Sequence, residues 1–322
     1  MHVQGLIGVG IITYNTAGLL LQCIHSLVEA NAIPLTQIVV IDSASTDNTE
    51  EQMYHNYPDI YYHKLTENNG YAYAVNMAAS FMQTEYMLII NADTLFLPQS
   101  IERLLRIAQS MADGGVWGMQ QIYPDKSWQR SYGFLPSVGV TFADGFFLLP
   151  LYHRWLALCL RYIPKKKPFV VDYVDGAVLL LKRAPFMQIQ GFDERFFFYG
   201  EEAEYCVRMQ RNTLCKAYMV PSEKVIHFRG QSSQNSGDIN EVFLRHLFCG
   251  TLRCAATYST PKTLYQIRFW EIVFSEWKQK LFFLLSRVHS KSGFYKKYLY
   301  YKMKKEIWIS LRSFIDELCH TK

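Results

Sequence analysis

The stretch LIGVGIITYN at residues 6–15 is a continuous apolar run that stops at Tyr14-Asn15. Such a run reads as a strand over 6–13, buried on both faces and closed by a turn. Helical spacing follows, with apolar residues at 19, 20, 24, 27 and 28 of a segment over 19–30. QIVVI at 37–41 is the next strand and ends at Asp42, after which Ser45-Thr46-Asp47-Asn48 offers N-caps for a helix to residue 57. A third strand is predicted over 60–65, a turn at Asn69-Gly70 and a helix over 71–82. YMLII at 86–90 is a fourth strand that ends at Asn91-Ala92-Asp93. Pro98 then sits where the first residue of a helix over 101–111 would fall. Strands alternating with helices, with no room for hairpins, predict an α/β fold whose mainly parallel sheet has helices on both faces.

Ligands of such sheets sit beyond the carboxyl ends of the strands. The strand-end residues are Thr13, Tyr14 and Asn15, then Asp42, then Asn68 to Gly70, then Asp93. Each alone is an ordinary turn residue. Four polar clusters at successive strand ends predict a binding site. The glycines at 5, 8 and 10 lie before and inside the first strand, so no G-x-G-x-x-G opens a helix, and no G-x-x-x-x-G-K-[ST] occurs. Without a glycine cradle, a diphosphate needs another counter-ion. Asp93 is placed to hold Mg2+ or Mn2+, hard ions that prefer oxygen. Asp42 is then free to accept from a base N–H.

Composition narrows the class. The chain has 322 residues, 50% hydrophobic and 19% charged, which excludes global disorder. A mean hydropathy of −0.04 excludes a polytopic membrane protein. Seven Cys with no C-x-x-C argue against a disulfide framework or zinc ribbon, and the first residues lack a charged, cleavable leader, so a cytoplasmic protein is expected. Residues 1–239 carry 18 basic and 22 acidic side chains, whereas 240–322 carry 15 and 6, net +9. The break lies at QSSQNSGDIN, 231–240, which reads as a linker or loop. The basic tail is rich in aromatics from Phe269 to Trp308. That mixture suits an anionic membrane surface better than nucleic acid, and no nucleic-acid partner is expected. A solvated face packed through its aromatics, or a homodimer contact, is the alternative. The segment GFFLLPLYHRWLALCL, 145–160, is broken by Pro150 and His153-Arg154, so an interfacial or buried helix is expected there rather than a span.

GIITYN, IVVIDSASTDNT, ENNGYAYAVN and MLIINADT together resemble the nucleotide-binding half of family 2 glycosyltransferases, which have the GT-A, Rossmann-like fold. VDGAVLLLKR at 174–183, GFDERFFFYGEEAEYCVRM at 191–209 and VIHFRGQSS at 225–233 continue the resemblance in the family's order. The similarity is to the rhamnosyltransferase-like branch that builds bacterial surface polysaccharides, and it runs from residue 6 to 233. It implies a glycosyltransferase domain over 1–239, with a nucleotide-binding half at 1–114 and an acceptor half at 115–239. A basic, mostly helical extension follows over 240–322.

Carried over residue by residue, the resemblance places Thr13, Asn15 and Asp42 on the nucleoside base, and Asn68 and Gly70 on the nucleotide pocket wall. Asp93 matches the final acid of the D-x-D motif, with Asn91 in place of the first, and would bind the metal with His227. Glu202, in Gly-Glu-Glu at 200–202, matches the catalytic base, with Glu for the usual Asp. Asp175, Gly176, Glu201 and Trp128 are candidates for donor or acceptor contacts. The implied activity is inverting transfer from a nucleotide-diphosphate sugar, such as dTDP-rhamnose, to a glycan or lipid-linked acceptor at the inner face of the cell membrane. One carboxylate takes the acceptor proton and a cation stabilises the leaving diphosphate. Flanking Glu201 and Glu204 would raise the pKa of Glu202. The same residues have simpler readings: acids at a helix start, a Glu204–Arg208 pair at i,i+4, a strand histidine, turn aspartates, and core aromatics at Trp128 and Tyr132. A non-catalytic nucleotide-sugar-binding or assembly subunit is the alternative function, favoured by the single acid at Asp93.

Overall fold

The computed structural model describes residues 5–31, 33–162, 167–229, 240–288 and 292–320. Gly230 and Ser232, the loop over 231–239, and Lys165 and Lys166 lie outside the described residues.

In chain order the elements are β1 (Ile7–Thr13), α1 (Ala17–Asn31), β2 (Ile38–Asp42), α2 (Thr49–Asn56), β3 (Tyr61–Lys64), α3 (Tyr71–Ser80), β4 (Tyr86–Asn91), β5 (Thr94–Phe96), α4 (Ser100–Gln109) and β6 (Gly114–Ile122). There follow β7 (Tyr132–Gly133), α5 (Val138–Gly145), α6 (Leu148–Tyr162), β8 (Phe169–Val171), β9 (Tyr173–Val174), β10 (Val178–Lys182), α7 (Arg183–Gln188), α8 (Glu201–Thr213) and β11 (Lys216–His227). The chain closes with α9 (Glu241–Tyr258), α10 (Pro261–Val288), α11 (Ser292–Ser310) and α12 (Arg312–His320).

The large sheet runs β3-β2-β1-β4-β10-β6-β11-β5, with β8 also on β11. β1 to β4 are parallel to one another, and β6 is parallel to β11. β10 enters antiparallel between β4 and β6. Every residue of β1 and β2 is buried, which is why their sequences are unbroken apolar runs. Alternation assigns the faces. Val9 and Ile11 join Leu20, Ile24 and Leu27 of α1, Met53 of α2 and Leu104 of α4 in one core cluster. On the opposite face, a Cβ at Gly10 would meet Ala78 of α3 and Met82. Helices therefore cover both faces, as expected.

Two local expectations change. Pro98 does not open α4, which begins at Ser100. The intervening residues are taken by β5, whose three residues pair with β11, and Gln99 turns the chain at φ 58°. The sheet also contains antiparallel strands, because the chain returns through β10 after β6 and its excursion.

The described residues divide into two compact units. The first draws on Met1–Phe134, Ala157–Phe197 and Glu201–Asn235, and contains the large sheet. The second draws on Leu135–Leu156, Phe198–Gly200 and Ser236–Lys322. Residues 135–156, grouped with the acceptor half (115–239) on sequence order, thus associate with the C-terminal helices. Within this second unit, Phe248 and Leu252 of α9, Ile267 of α10, Trp308 of α11 and Ile315 of α12 form a core. α5 reaches α10 closely, since a Cβ on Gly145 would lie 2.5 Å from the Phe274 ring. Two tail cations are internal: Lys278 Nζ donates to the Asp144 carbonyl (2.8 Å), and Lys304 pairs with Glu271 (2.9 Å). Among the described residues no helix is long and apolar enough to cross a membrane.

Candidate active site

Strand pairing gathers the strand-end residues. Thr13 of β1 stands opposite Asp42 of β2, and Ile12 opposite Asn91 of β4. All lie at the carboxyl edge, where the parallel topology predicts a ligand.

The turns after β1 and β2 clasp each other. Asn15 donates its N–H to Ser45 Oγ (2.8 Å), and its Oδ1 accepts from Thr46 N (2.7 Å). Asn15 sits at φ 52°, a conformation Asn tolerates better than most residues. Thr13 Oγ1 bonds Thr16 Oγ1 (2.9 Å). Asp42 is enclosed. It is fully buried; its Oδ1 accepts from Ser45 N (2.8 Å) and its Oδ2 from the Tyr62 hydroxyl. Its carboxylate shapes the turn that meets Asn15. Asn68 Oδ1 accepts from Gly70 N (3.0 Å). Gly70 is held at φ +91°, and a Cβ there would lie 2.3 Å from the Phe197 carbonyl oxygen. Only glycine fits both conditions.

Asp93 and His227 are brought together by the backbone. β5 pairs antiparallel with β11 so that Thr94 faces His227, and Phe228 N donates to Asp93 O (3.0 Å). Both side chains are buried, and His227 Nε2 lies 3.3 Å from Asp93 Oδ1. The other ring nitrogen, Nδ1, faces Oε1 of Gln121 (2.7 Å) and of Gln129 (2.8 Å). The orientations of these amides follow from their other ends. Gln121 Nε2 donates to Asp175 Oδ1 (3.2 Å) and Gln129 Nε2 to the His227 carbonyl (3.1 Å). Two amide oxygens on Nδ1 require a hydrogen there. Nε2 then confronts a carboxylate oxygen, an arrangement satisfied by a proton on Nε2 or by a cation that both groups ligate. The donor set of one imidazole and one carboxylate fits a divalent ion that takes its other ligands from substrate phosphates. Among the described residues no cluster of three or more His, Cys, Asp or Glu offers a complete protein cage.

Glu201 and Glu202 open α8, where acids favour the helix dipole. Glu204 pairs with Arg208 at 2.7 Å, as the spacing predicted, and Arg208 also donates to the Ile189 and Gly191 carbonyls. The Glu201 carboxyl is pushed well above its usual range, first by burial at 3% exposure and then by the Glu202 charge. Glu202 is only half-buried. The first-turn residues of a helix differ by about 100° in direction, so Glu201 is the more deeply buried of the two, although Glu202 Oε2 is itself buried.

Tyr71 ties these parts together. Its hydroxyl donates to the Gly176 carbonyl (2.5 Å). Burial, followed by the charges of Glu201, Glu202, Asp175 and Asp93, holds its pKa well above the usual phenol range. Four of the predicted carboxyls therefore act electrostatically on one phenol. Asp175 completes the network: its Oδ1 also accepts from Ala177 N (3.3 Å), and its Oδ2 faces Arg229 at 3.6 Å. Trp128 donates Nε1–H to Gln120 Oε1 (3.2 Å) and stands one amide away from the Gln129 backbone. Tyr71, Gln121, Gln129 and Arg229 were not singled out from sequence. The consecutive amides Gln120-Gln121 near the end of the wholly buried β6 were the available signal.

The profile of glycosyl transferase family 2 matches residues 8–186. An N-acetylglucosaminyl-diphospho-decaprenol L-rhamnosyltransferase of Mycobacterium tuberculosis is 28% identical over 237 residues, 69% of this chain and 76% of that protein. The mannosyltransferase PcManGT of Pyrobaculum calidifontis, solved with GDP-Man and Mn2+, superposes with TM-score 0.54 at 14% identity, over 95% of this chain and 86% of that one. GalNAc-T7, solved with UDP, GalNAc and Mn2+, superposes with TM-score 0.55 at 14% identity. That alignment covers 78% of this chain and 47% of the GalNAc-T7 chain, so this chain spans less than half of that one. At these identities the structural likeness concerns the fold, which is GT-A.

Proposed function

The chain belongs to glycosyl transferase family 2 and is a glycosyltransferase, and from that premise we propose that it transfers a sugar with inversion, using Glu202 as base and a divalent ion at Asp93 and His227. The observation that carries this reading is the chain of contacts from Asp93 through His227 and Gln121 to Asp175, with the charges of Asp93, Asp175, Glu201 and Glu202 all felt at Tyr71.

The acceptor hydroxyl must lose a proton as it attacks the anomeric carbon, and a carboxylate within hydrogen-bond reach takes it. Glu202 is suited to that post because it is the more accessible of two adjacent acids. Glu201, driven towards its protonated form by burial and by the Glu202 charge, is less available to accept a proton near neutral pH. Tyr71 fixes the Gly176 carbonyl and so the turn that presents Asp175. Asn15, Thr13 and the Asn68–Gly70 turn form the nucleotide side, with Asp42 acting through the turn it holds. Asp93 and His227 would hold Mg2+ or Mn2+. When bound, that ion would neutralise charge on the departing nucleoside diphosphate.

The mycobacterial relative supports a rhamnosyl donor such as dTDP-rhamnose and a lipid-linked diphospho-sugar acceptor. Such an acceptor places the enzyme at the inner face of the membrane, with the basic region 240–322 against anionic lipid. A panel of nucleotide sugars tested by thermal shift, with and without Mn2+, should show one donor raising the melting temperature. The same donor should then support transfer or slow hydrolysis. Stabilisation by a donor with neither reaction would favour a binding subunit, and no stabilisation by any donor would refute the reading.

A further inference from the structure

We propose that residues 146–155 form a membrane-insertion element that enters the interfacial layer of an anionic phospholipid surface. The proposal rests on the reading that the acceptor is membrane-held, and it assigns the insertion to a segment outside the basic tail.

The first observation is an exposed apolar helical face. Leu148, Leu151 and Trp155 are 55%, 60% and 60% exposed, and Tyr152 and Phe146 are exposed with them. Positions 148, 151, 152 and 155 follow the i, i+3, i+4, i+7 spacing, so they line one side of α6. A solvated helix would carry polar residues there. The second observation is a matching stripe on α10. Phe269, Val273, Trp277, Leu284 and Val288 are all exposed along that helix. The two belong to the same unit, joined by Phe142 against Trp270 (4.5 Å between ring centres) and Phe147 against Trp277 (5.8 Å).

Charge selects the occupant. From residue 145 to 171 the sequence has no Asp or Glu, but has Arg154, Arg161 and Lys165 to Lys167. The helices that share the unit derive from a region of net +9. A second copy of this chain would bring like charge against like charge. An anionic bilayer complements the charge and also accepts the apolar side chains, with tryptophans at the interfacial level. The helix lies in the interface rather than crossing it, since no described helix meets the length and hydropathy of a span.

The test uses the full chain and vesicles of phosphatidylcholine with or without phosphatidylglycerol. Flotation should recover the protein with the anionic vesicles, less so at high salt. The double variant L151E/W155E should lower the apparent vesicle affinity at least about tenfold, because both side chains lose their apolar burial. Donor hydrolysis measured without vesicles should stay at the wild-type level, which separates this test from that of the catalytic reading. Independently of any charge variant, brominated lipid should quench tryptophan fluorescence, and W155F should remove a large part of that quenching. Wild-type flotation by L151E/W155E, or unchanged quenching in W155F, would overturn the proposal. So would a stable dimer in sedimentation that the double variant disperses while vesicle binding is absent.

Discussion

Removing both amides that face His227 should weaken divalent-cation binding while leaving the two ligands in place. In Q121L/Q129L the Nδ1–H loses acceptors now at 2.7 and 2.8 Å, and the imidazole is no longer held with Nε2 on Asp93. A neutral hydrogen bond contributes about 1 kcal/mol net. Two of them make about 2 kcal/mol, or roughly thirtyfold in affinity, since about 1.4 kcal/mol is tenfold. That lies inside the range of about 10–100-fold for outer partners of a metal-bound histidine. Either single variant should lose about fivefold by the same reckoning. The assay is electron paramagnetic resonance of free Mn2+ during titration of the protein, with the nucleoside diphosphate that stabilises it most. Leucine also removes the donor to the His227 carbonyl, so circular dichroism must first show a folded protein. A folded Q121L/Q129L that binds Mn2+ as tightly as wild type would refute the reasoning, as would H227A with undiminished affinity.

E202Q keeps size and removes the base, so transfer should fall by about 10²–10⁴ while donor affinity measured by calorimetry barely changes; retained turnover would move the base elsewhere. G70A places a Cβ 2.3 Å from the Phe197 carbonyl at φ +91°, and should cost at least about 2 kcal/mol in denaturant unfolding. R208M leaves the buried Glu204 carboxylate without its cation, with an expected loss of about 3 kcal/mol in the same measurement. Glu201 has a raised folded pKa, so the unfolded chain releases its proton first as pH rises above the ordinary value of 4.5. Its contribution therefore opposes folding increasingly from there up to its folded pKa. E201Q should match wild type near pH 4 and be the more stable protein at pH 7 to 8; equal melting temperatures across that window would show that Glu201 is not held neutral.

The first four strands were legible because their burial on both faces demands unbroken apolar residues, and their ends were legible because polar residues cannot continue such runs. β5 escaped notice, since three residues of TLF after a turn have no period to detect. β11 carries a register shift between Val220 and Lys224, so its alternation is broken just where it approaches the site. The Glu204–Arg208 pair followed from helical spacing, whereas the difference between Glu201 and Glu202 did not. Adjacent residues share every local signal, and only the packing around α8 decides which carboxyl is the more deeply buried. Residues 135–156 show the same limit at larger scale: their partners on α10 are remote in the chain, and aromatic contacts such as Phe142 with Phe274 leave no local mark.

Local chemistry, read one segment at a time, was enough to establish an alternating α/β chain with polar residues at the carboxyl ends of its strands. The tertiary structure alone decided that His227 stands against Asp93, that two glutamines select its tautomer, and that Asp42 is enclosed. The reason is that periodicity and capping act within a few residues, while the field at a buried carboxylate is set by whichever distant side chains the sheet registers beside it.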